Sequence, residues 1–263
     1  MKVGLKLTML AALCLALWPA LVGAAPPAPK GKLVYTDDFS DPKKSKLEDN
    51  LKATDFSRGF HAPGVYHLIM RQNNETNWKL FPGQSYANFS YELELADNSD
   101  DFSGNVASGV VFRAKDDSHM YAVLLDSRKG QYRVSKLDGS TWSDLIATKP
   151  SKLIKSQANA NVLRVDGDGD SFTIYLNGEQ LDAFKDAAYT QGGVGMIQSN
   201  VDAVNPHSHF DNVKIYTTDA AAAGEGSPST LPKTGQPGAT EPLAIGAFAL
   251  ALLLLGVWVR QRR

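Results

Sequence analysis

The chain has 263 residues, 43% hydrophobic and 21% charged, with 27 basic against 28 acidic side chains and a net charge of −1 at pH 7. That balance excludes a dedicated binder of nucleic acid or another polyanion. A single cysteine, Cys14, excludes an internal disulfide and a cysteine-based metal site.

In chain order, residues 1–25 read as an export signal. Lys2 and Lys6 precede the apolar run Leu7–Leu17, and the small residues Val22-Gly23-Ala24-Ala25 follow, so cleavage is expected after Ala24 or Ala25. Cys14 follows Leu13, where a lipoprotein signal carries a small residue, so lipidation is not expected. Residues 26–32 form a short linker. Residues 33–218 are enough for one domain with a full core.

Between Leu33 and Thr218 the pattern is strand after strand. Val34–Phe39 opens the series; Phe89–Leu95, Val110–Arg113, Tyr121–Leu125, Tyr132–Lys136, Val162–Val165 and Phe172–Leu176 alternate with period two. Asn177-Gly178 marks a hairpin turn with Leu181 and Phe184 on the return strand; Lys129-Gly130 and Asp138-Gly139 read similarly. Phe210–Tyr216 closes the series, and in a sandwich it is expected to lie beside the opening strand. No segment carries a sustained helical stripe. The fold class expected is therefore all-β, an antiparallel sandwich or jelly roll.

The series Gly109-Val110-Val111-Phe112-Arg113, Tyr121, Gly130-Gln131-Tyr132, Trp142, Tyr175-Leu176-Asn177-Gly178, Gly193-Val194-Gly195 and Phe210-Asp211-Asn212-Val213 resembles the concanavalin-like or laminin-G-like jelly rolls. It looks closest to the bacterial branch labelled 3-keto-disaccharide hydrolase-like. The resemblance implies a scaffold that hosts lectins, carbohydrate-binding modules, adhesion modules and glycosidases.

A sugar site needs flat aromatic faces with planar donors beside them. Trp78, Trp142, Tyr121, Tyr132, Arg113, Arg133 and His119 supply those residue types, each also suited to a core or hairpin. If Phe112 points into the core, Arg113 is expected on the opposite, groove-lining face. Glu92, Glu94 and Asp97 loosely resemble the E-x-D-x-x-E strand of laminarinase-type glycosidases, with the acid identities swapped. An exposed face of an amphipathic strand is the plainer expectation for them, and Asp97–Asp101 reads as a solvated turn. Asp38 and Asp211, near the ends of neighbouring strands, are the candidates for a Ca²⁺ ion. Asp166-Gly167-Asp168-Gly169-Asp170 reads as a hairpin loop, since the twelfth position from Asp166 is Asn177 and not a glutamate. His61, His67, His119, His207 and His209 show no zinc spacing; His207 and His209 could share a strand face, but no third ligand is in view, so they read as loop residues.

Residues 219–230, rich in Ala, Gly, Ser and Pro, read as a flexible tether. The final segment, 231–263, starts with Leu231-Pro232-Lys233-Thr234-Gly235 and continues through a polar spacer, the apolar stretch 243–259 and the basic Arg260-Gln261-Arg262-Arg263. At ~1.5 Å per residue the apolar stretch reaches about 25 Å, enough for a stop-transfer helix with a basic cytoplasmic anchor. Pro232 biases Leu231 toward an extended shape that an enzyme groove can bind. This order of elements resembles the sorting signal of LPxTG cell-wall-anchored surface proteins. The resemblance implies cleavage by a sortase between Thr234 and Gly235 and transfer of Thr234 to peptidoglycan, after a transient stay in the membrane. Without Lys2, Lys6, Arg260, Arg262, Arg263 and Glu241 the chain carries 22 basic against 27 acidic groups, a net of −5.

Together these readings describe a cell-surface protein of a single-membrane bacterium, displaying a jelly roll that binds a glycan without chemistry. The alternatives are a glycoside or keto-disaccharide hydrolase on the same fold and a purely adhesive or structural wall protein.

Overall fold

The computed structural model describes residues 26–49, 57–62, 64–70, 74–83, 85–97, 105–156, 159–201 and 206–219. The expected export signal 1–25, the LPKTG pentapeptide 231–235 and the apolar stretch 243–259 lie outside the described residues. Among the described residues there are fourteen strands and no helix. They are β1 (Lys32–Asp37), β2 (Ser57–Ala62), β3 (Val65–Met70), β4 (Thr76–Leu80), β5 (Phe89–Asp97), β6 (Asn105–Asp116) and β7 (His119–Asp126). The second half holds β8 (Gln131–Asp138), β9 (Thr141–Pro150), β10 (Asn161–Asp168), β11 (Ser171–Leu176), β12 (Glu179–Lys185), β13 (Gly193–Val201) and β14 (His207–Thr217).

All pairings are antiparallel and form two sheets, as the period-two alternation predicts. The eight-stranded sheet runs β12-β11-β10-β5-β14-β3-β2, with β1 also on β14; the six-stranded sheet runs β4-β13-β6-β7-β8-β9. The opening and closing strands do lie side by side, Lys32 opposite Thr217. At the β11–β12 hairpin Asn177 and Gly178 both take positive φ, 52° and 87°, the turn geometry that Asn-Gly favours.

The core lies between the sheets. On β5, Phe89, Tyr91, Leu93 and Leu95 point inward while Glu92 and Glu94 do not. From the six-stranded sheet Val110, Phe112, Tyr121, Val123 and Val134 meet them. The Tyr91 hydroxyl crosses the gap and donates to the Gly195 carbonyl at 3.0 Å, so the one polar atom this ring buries is satisfied. Pro27 and Lys30 are also fastened to the larger sheet: the Pro27 carbonyl accepts from Arg164 at 2.8 Å and the Lys30 amide donates to Ser90 at 3.1 Å.

Candidate functional site

The face of the six-stranded sheet turned away from this core carries a second apolar layer, which includes Trp78, Val111, Met120, Ala122, Leu124 and Ile197. One cross-strand row runs Trp78, Ile197, Gly109, Leu124, Arg133. A flat sheet would hold its two edge strands about 24 Å apart. Yet Trp78 on the edge strand β4 and Trp142 on the opposite edge strand β9 meet edge to face, 6.4 Å between centroids. The sheet must therefore curl toward this side, and its glycines show how. A Cβ on Gly109 would stand 1.9 Å from the Val123 carbonyl oxygen, and one on Gly195 2.2 Å from that of Lys79. Such close backbone approach is open only to glycine.

Arg133 reaches this concave face at one end. It is 4% exposed, and its Nε and Nη2 have no hydrogen-bond partner. Burial lowers its affinity for a proton, opposed by the nearby carboxylates Asp144 and Asp126. Beside it lies a cavity of about 20 Å³ lined by Ala107, Leu124, Asp126, Gln131, Tyr132 and Thr148, room for roughly one water molecule. A ligand larger than that would lie on the face, against Trp142. Trp78 is itself 1% exposed, so Trp142, half-buried and braced by it, is the indole on this face whose ring can stack a sugar.

The other aromatic and basic candidates lie elsewhere. Arg113 was expected on the groove face and points the other way. It has a positive φ of 50°, inside the register shift between Phe112 and Asp116. That irregularity turns its side chain inward, where it is 1% exposed. Nη1 donates to the Tyr189 carbonyl at 2.8 Å; Nη2 donates to Gly169 at 2.9 Å and to the Ala87 carbonyl. The guanidinium also lies over the Phe172 ring, 5.1 Å from its centroid. Tyr121 and Tyr132 face the inter-sheet core, not the groove. The Tyr121 hydroxyl donates to Asp186 at 2.6 Å and accepts from the Tyr189 amide at 3.1 Å; the Tyr132 hydroxyl donates to Asp182 at 2.8 Å. Desolvation, reinforced by these carboxylates, raises both phenols above their usual range. His119 sits at the β6–β7 hairpin, its Nδ1 on Asp116 at 2.7 Å.

The carboxylate set does not converge. Glu92 and Glu94 share a face, and Glu92 pairs with Lys214 at 3.3 Å. Asp97 is neither with them nor in a solvated turn. Strand β5 runs against β10 without a register shift, so an odd-numbered side chain must point into the sandwich. There Asp97 accepts from Ser108 and Ser127 at 2.7 Å each and from Ser208 at 3.1 Å; burial raises its pKa against the pull of those hydroxyls. Asp38 accepts from the Ser40 amide and hydroxyl, and Asp211 from the Asn212 amide. Burial and the neighbouring Glu94, Asp38 and Asp37 raise Asp211. The 166–170 run is a tight hairpin between β10 and β11, as read, with Gly169 at a φ of 58°.

The histidines differ from the sequence reading. His207 and His209 belong to β14, not to a loop, and His67 on β3, about 140 residues away, stands opposite His209. The third ligand that spacing alone did not supply comes from strand pairing.

No protein-family model matches the chain, and no curated protein matches it. Solved structures do. The β-glucanase of Bacillus licheniformis superposes with a TM-score of 0.51 at 12% identity, over 72% of this chain and 99% of that one. The laminarinase of Flavobacterium sp. UMI-01 does so with a TM-score of 0.50 at 10% identity, over 71% and 100%. At such identities the likeness is one of fold: the chain is a jelly-roll sandwich of the concanavalin-like kind.

Proposed function

We propose that this protein is exported and fixed to the bacterial cell wall through Thr234, and that its jelly roll binds a glycan on the concave face of the six-stranded sheet. The observation that carries the ligand reading is the half-buried Trp142 ring, held edge to face on Trp78, on a sheet face that also carries Arg133. Jelly rolls whose names denote hydrolysis of glucan and laminarin share the scaffold. Binding without hydrolysis fits better than catalysis, because Asp97 faces away from Glu92 and Glu94, and Glu92 is held by Lys214. The wall reading is supported by the order of LPKTG, spacer, apolar stretch and basic end.

Two experiments test the two halves. On a glycan array, run with calcium and with chelator, the purified full chain is expected to give a discrete signal. Trp142→Ala and Arg133→Ala should each weaken it by tenfold or more, as loss of a stacking face or a charged hydrogen bond of about 1.5–3 kcal/mol implies. A blank array in both conditions would remove the glycan reading and leave an adhesive or structural role. For the wall, Thr234→Ala is expected to abolish covalent attachment to purified peptidoglycan. Unchanged attachment would end that half of the proposal and leave the other standing.

A further inference from the structure

The outer face of the eight-stranded sheet holds a cluster that the glycan reading does not use. Strands β3 and β14 pair antiparallel with His67 directly opposite His209 and Ile69 opposite His207. The i, i+2 spacing puts His207 and His209 on one face. Ser208 and Phe210, between and beside them, are buried in the sandwich, so the two imidazoles face outward. Tyr66 and Leu68 fix His67 the same way. The three rings meet with centroids 4.3 to 4.6 Å apart. One nitrogen from each lies within 4.8 Å of the others.

The two remaining histidines have a plain explanation that these three lack. His61 and His119 each sit on an aspartate, Asp49 and Asp116, at 2.7 Å. His67, His207 and His209 instead turn nitrogens toward one another. His67 Nδ1 faces His207 Nε2 within hydrogen-bond reach, and His209 Nε2 is buried with no partner. Desolvation, joined by mutual repulsion, lowers His67 and His207 to about 4, and desolvation lowers His209, so near pH 7 the rings are neutral and keep their lone pairs.

We infer that His67, His207 and His209 form a binding site for one borderline divalent transition-metal ion, of the Zn²⁺ or Cu²⁺ class, on the sheet face opposite the concave groove. Three imidazoles without a carboxylate suit those ions and not Ca²⁺ or Mg²⁺, which take oxygen ligands. Metal–nitrogen bonds of 2.0–2.1 Å in a tetrahedron set the ligand atoms about 3.3 Å apart, so on binding the close His67–His207 contact opens while any wider gap among the three narrows. The supports are already rigid. Phe60 stacks on His67 at 4.8 Å and 5°. Between the two β14 histidines, the Ser208 hydroxyl is tied to Asp97 at 3.1 Å inside the sandwich. Three protein ligands leave the fourth position open toward solvent, for water or for a donor group on a second molecule.

The test uses the full chain, purified in mild detergent and stripped with chelator. Titration with ZnCl₂ or CuCl₂ should show one ion per chain. His209→Gln and His67→Gln should each weaken binding by more than the roughly 10–100-fold that loss of an outer-shell partner brings, while His119→Gln changes nothing. At Zn²⁺ a hundredfold above Kd, the wild-type melting temperature should rise by about 5 °C or more. Co²⁺ loading of the unmutated protein should give the intense visible bands of a tetrahedral nitrogen-ligated ion, a readout that needs no variant to fold. Absence of stoichiometric binding, binding that survives in both ligand variants, or a Co²⁺ spectrum of the free aqueous ion would each overturn the site. None of these outcomes bears on the glycan array.

Discussion

Arg113→Met is expected to lower the unfolding free energy by about 4 kcal/mol, seen as a large fall in the urea midpoint at unchanged slope. The guanidinium is 1% exposed and joins three connections that share no strand: Ala87 before β5, Gly169 in the β10–β11 hairpin and Tyr189 before β13. Methionine fills much of the volume but donates nothing, and each buried carbonyl left bare costs about 1–3 kcal/mol. Against that stands relief from burying a charge, which burial already disfavours at this position. Three orphaned acceptors outweigh the one desolvated cation, so the balance remains a loss. Arg113→Lys should recover less than half, since an ammonium lacks the planar fork that spans two donors to three carbonyls. A change under about 1 kcal/mol for methionine would show that water reaches these carbonyls and that the arginine is no clamp.

Gly109→Ala should cost about 3 kcal/mol or more, although only one methyl is added. The new carbon would overlap the Val123 carbonyl oxygen at 1.9 Å, and that neighbour is backbone in the middle of a paired sheet, unable to swing aside as a side chain would. Relief requires β6 and β7 to part, which flattens the curl that brings Trp78 to Trp142. Gly139→Ala is the matched control. Its φ is +63° and nothing lies within 4 Å of the new carbon, so only the left-handed conformation is strained, about 1 kcal/mol. Equal melting temperatures for the two variants would contradict the close approach.

The sandwich was legible because its signals are local. Alternation on β5 and β11 and the Asn177-Gly178 turn act between residues that are neighbours in sequence; β7, expected to alternate, is instead buried along both faces. What was hidden depends on pairing or on single dihedral angles. Nothing in the sequence near Arg113 marks the left-handed residue that reverses its direction. Asp97 reads as part of an acidic turn until the unbroken register of β5 assigns it to the interior. Strand β9, with mostly exposed or half-exposed side chains, has no clean alternation to betray it. The histidine cluster needs β3 beside β14, a contact across about 140 residues that no spacing rule contains. Arg133, Trp78 and Trp142 were legible as residue types suited to a sugar, but only strand pairing puts Trp78 and Arg133 in one row, and only the curl of the sheet brings Trp78 to Trp142.

The place of β14 has a mechanical consequence. It is hydrogen-bonded along both margins, to β5 on one side and on the other to β3 over its first half and β1 over its second. It is also the last strand before Thr234, the proposed point of attachment. Tension entering from a wall anchor would thus pull lengthwise on a strand clasped on two sides, loading many hydrogen bonds at once in shear. An edge strand hung from the same tether would unzip one bond at a time.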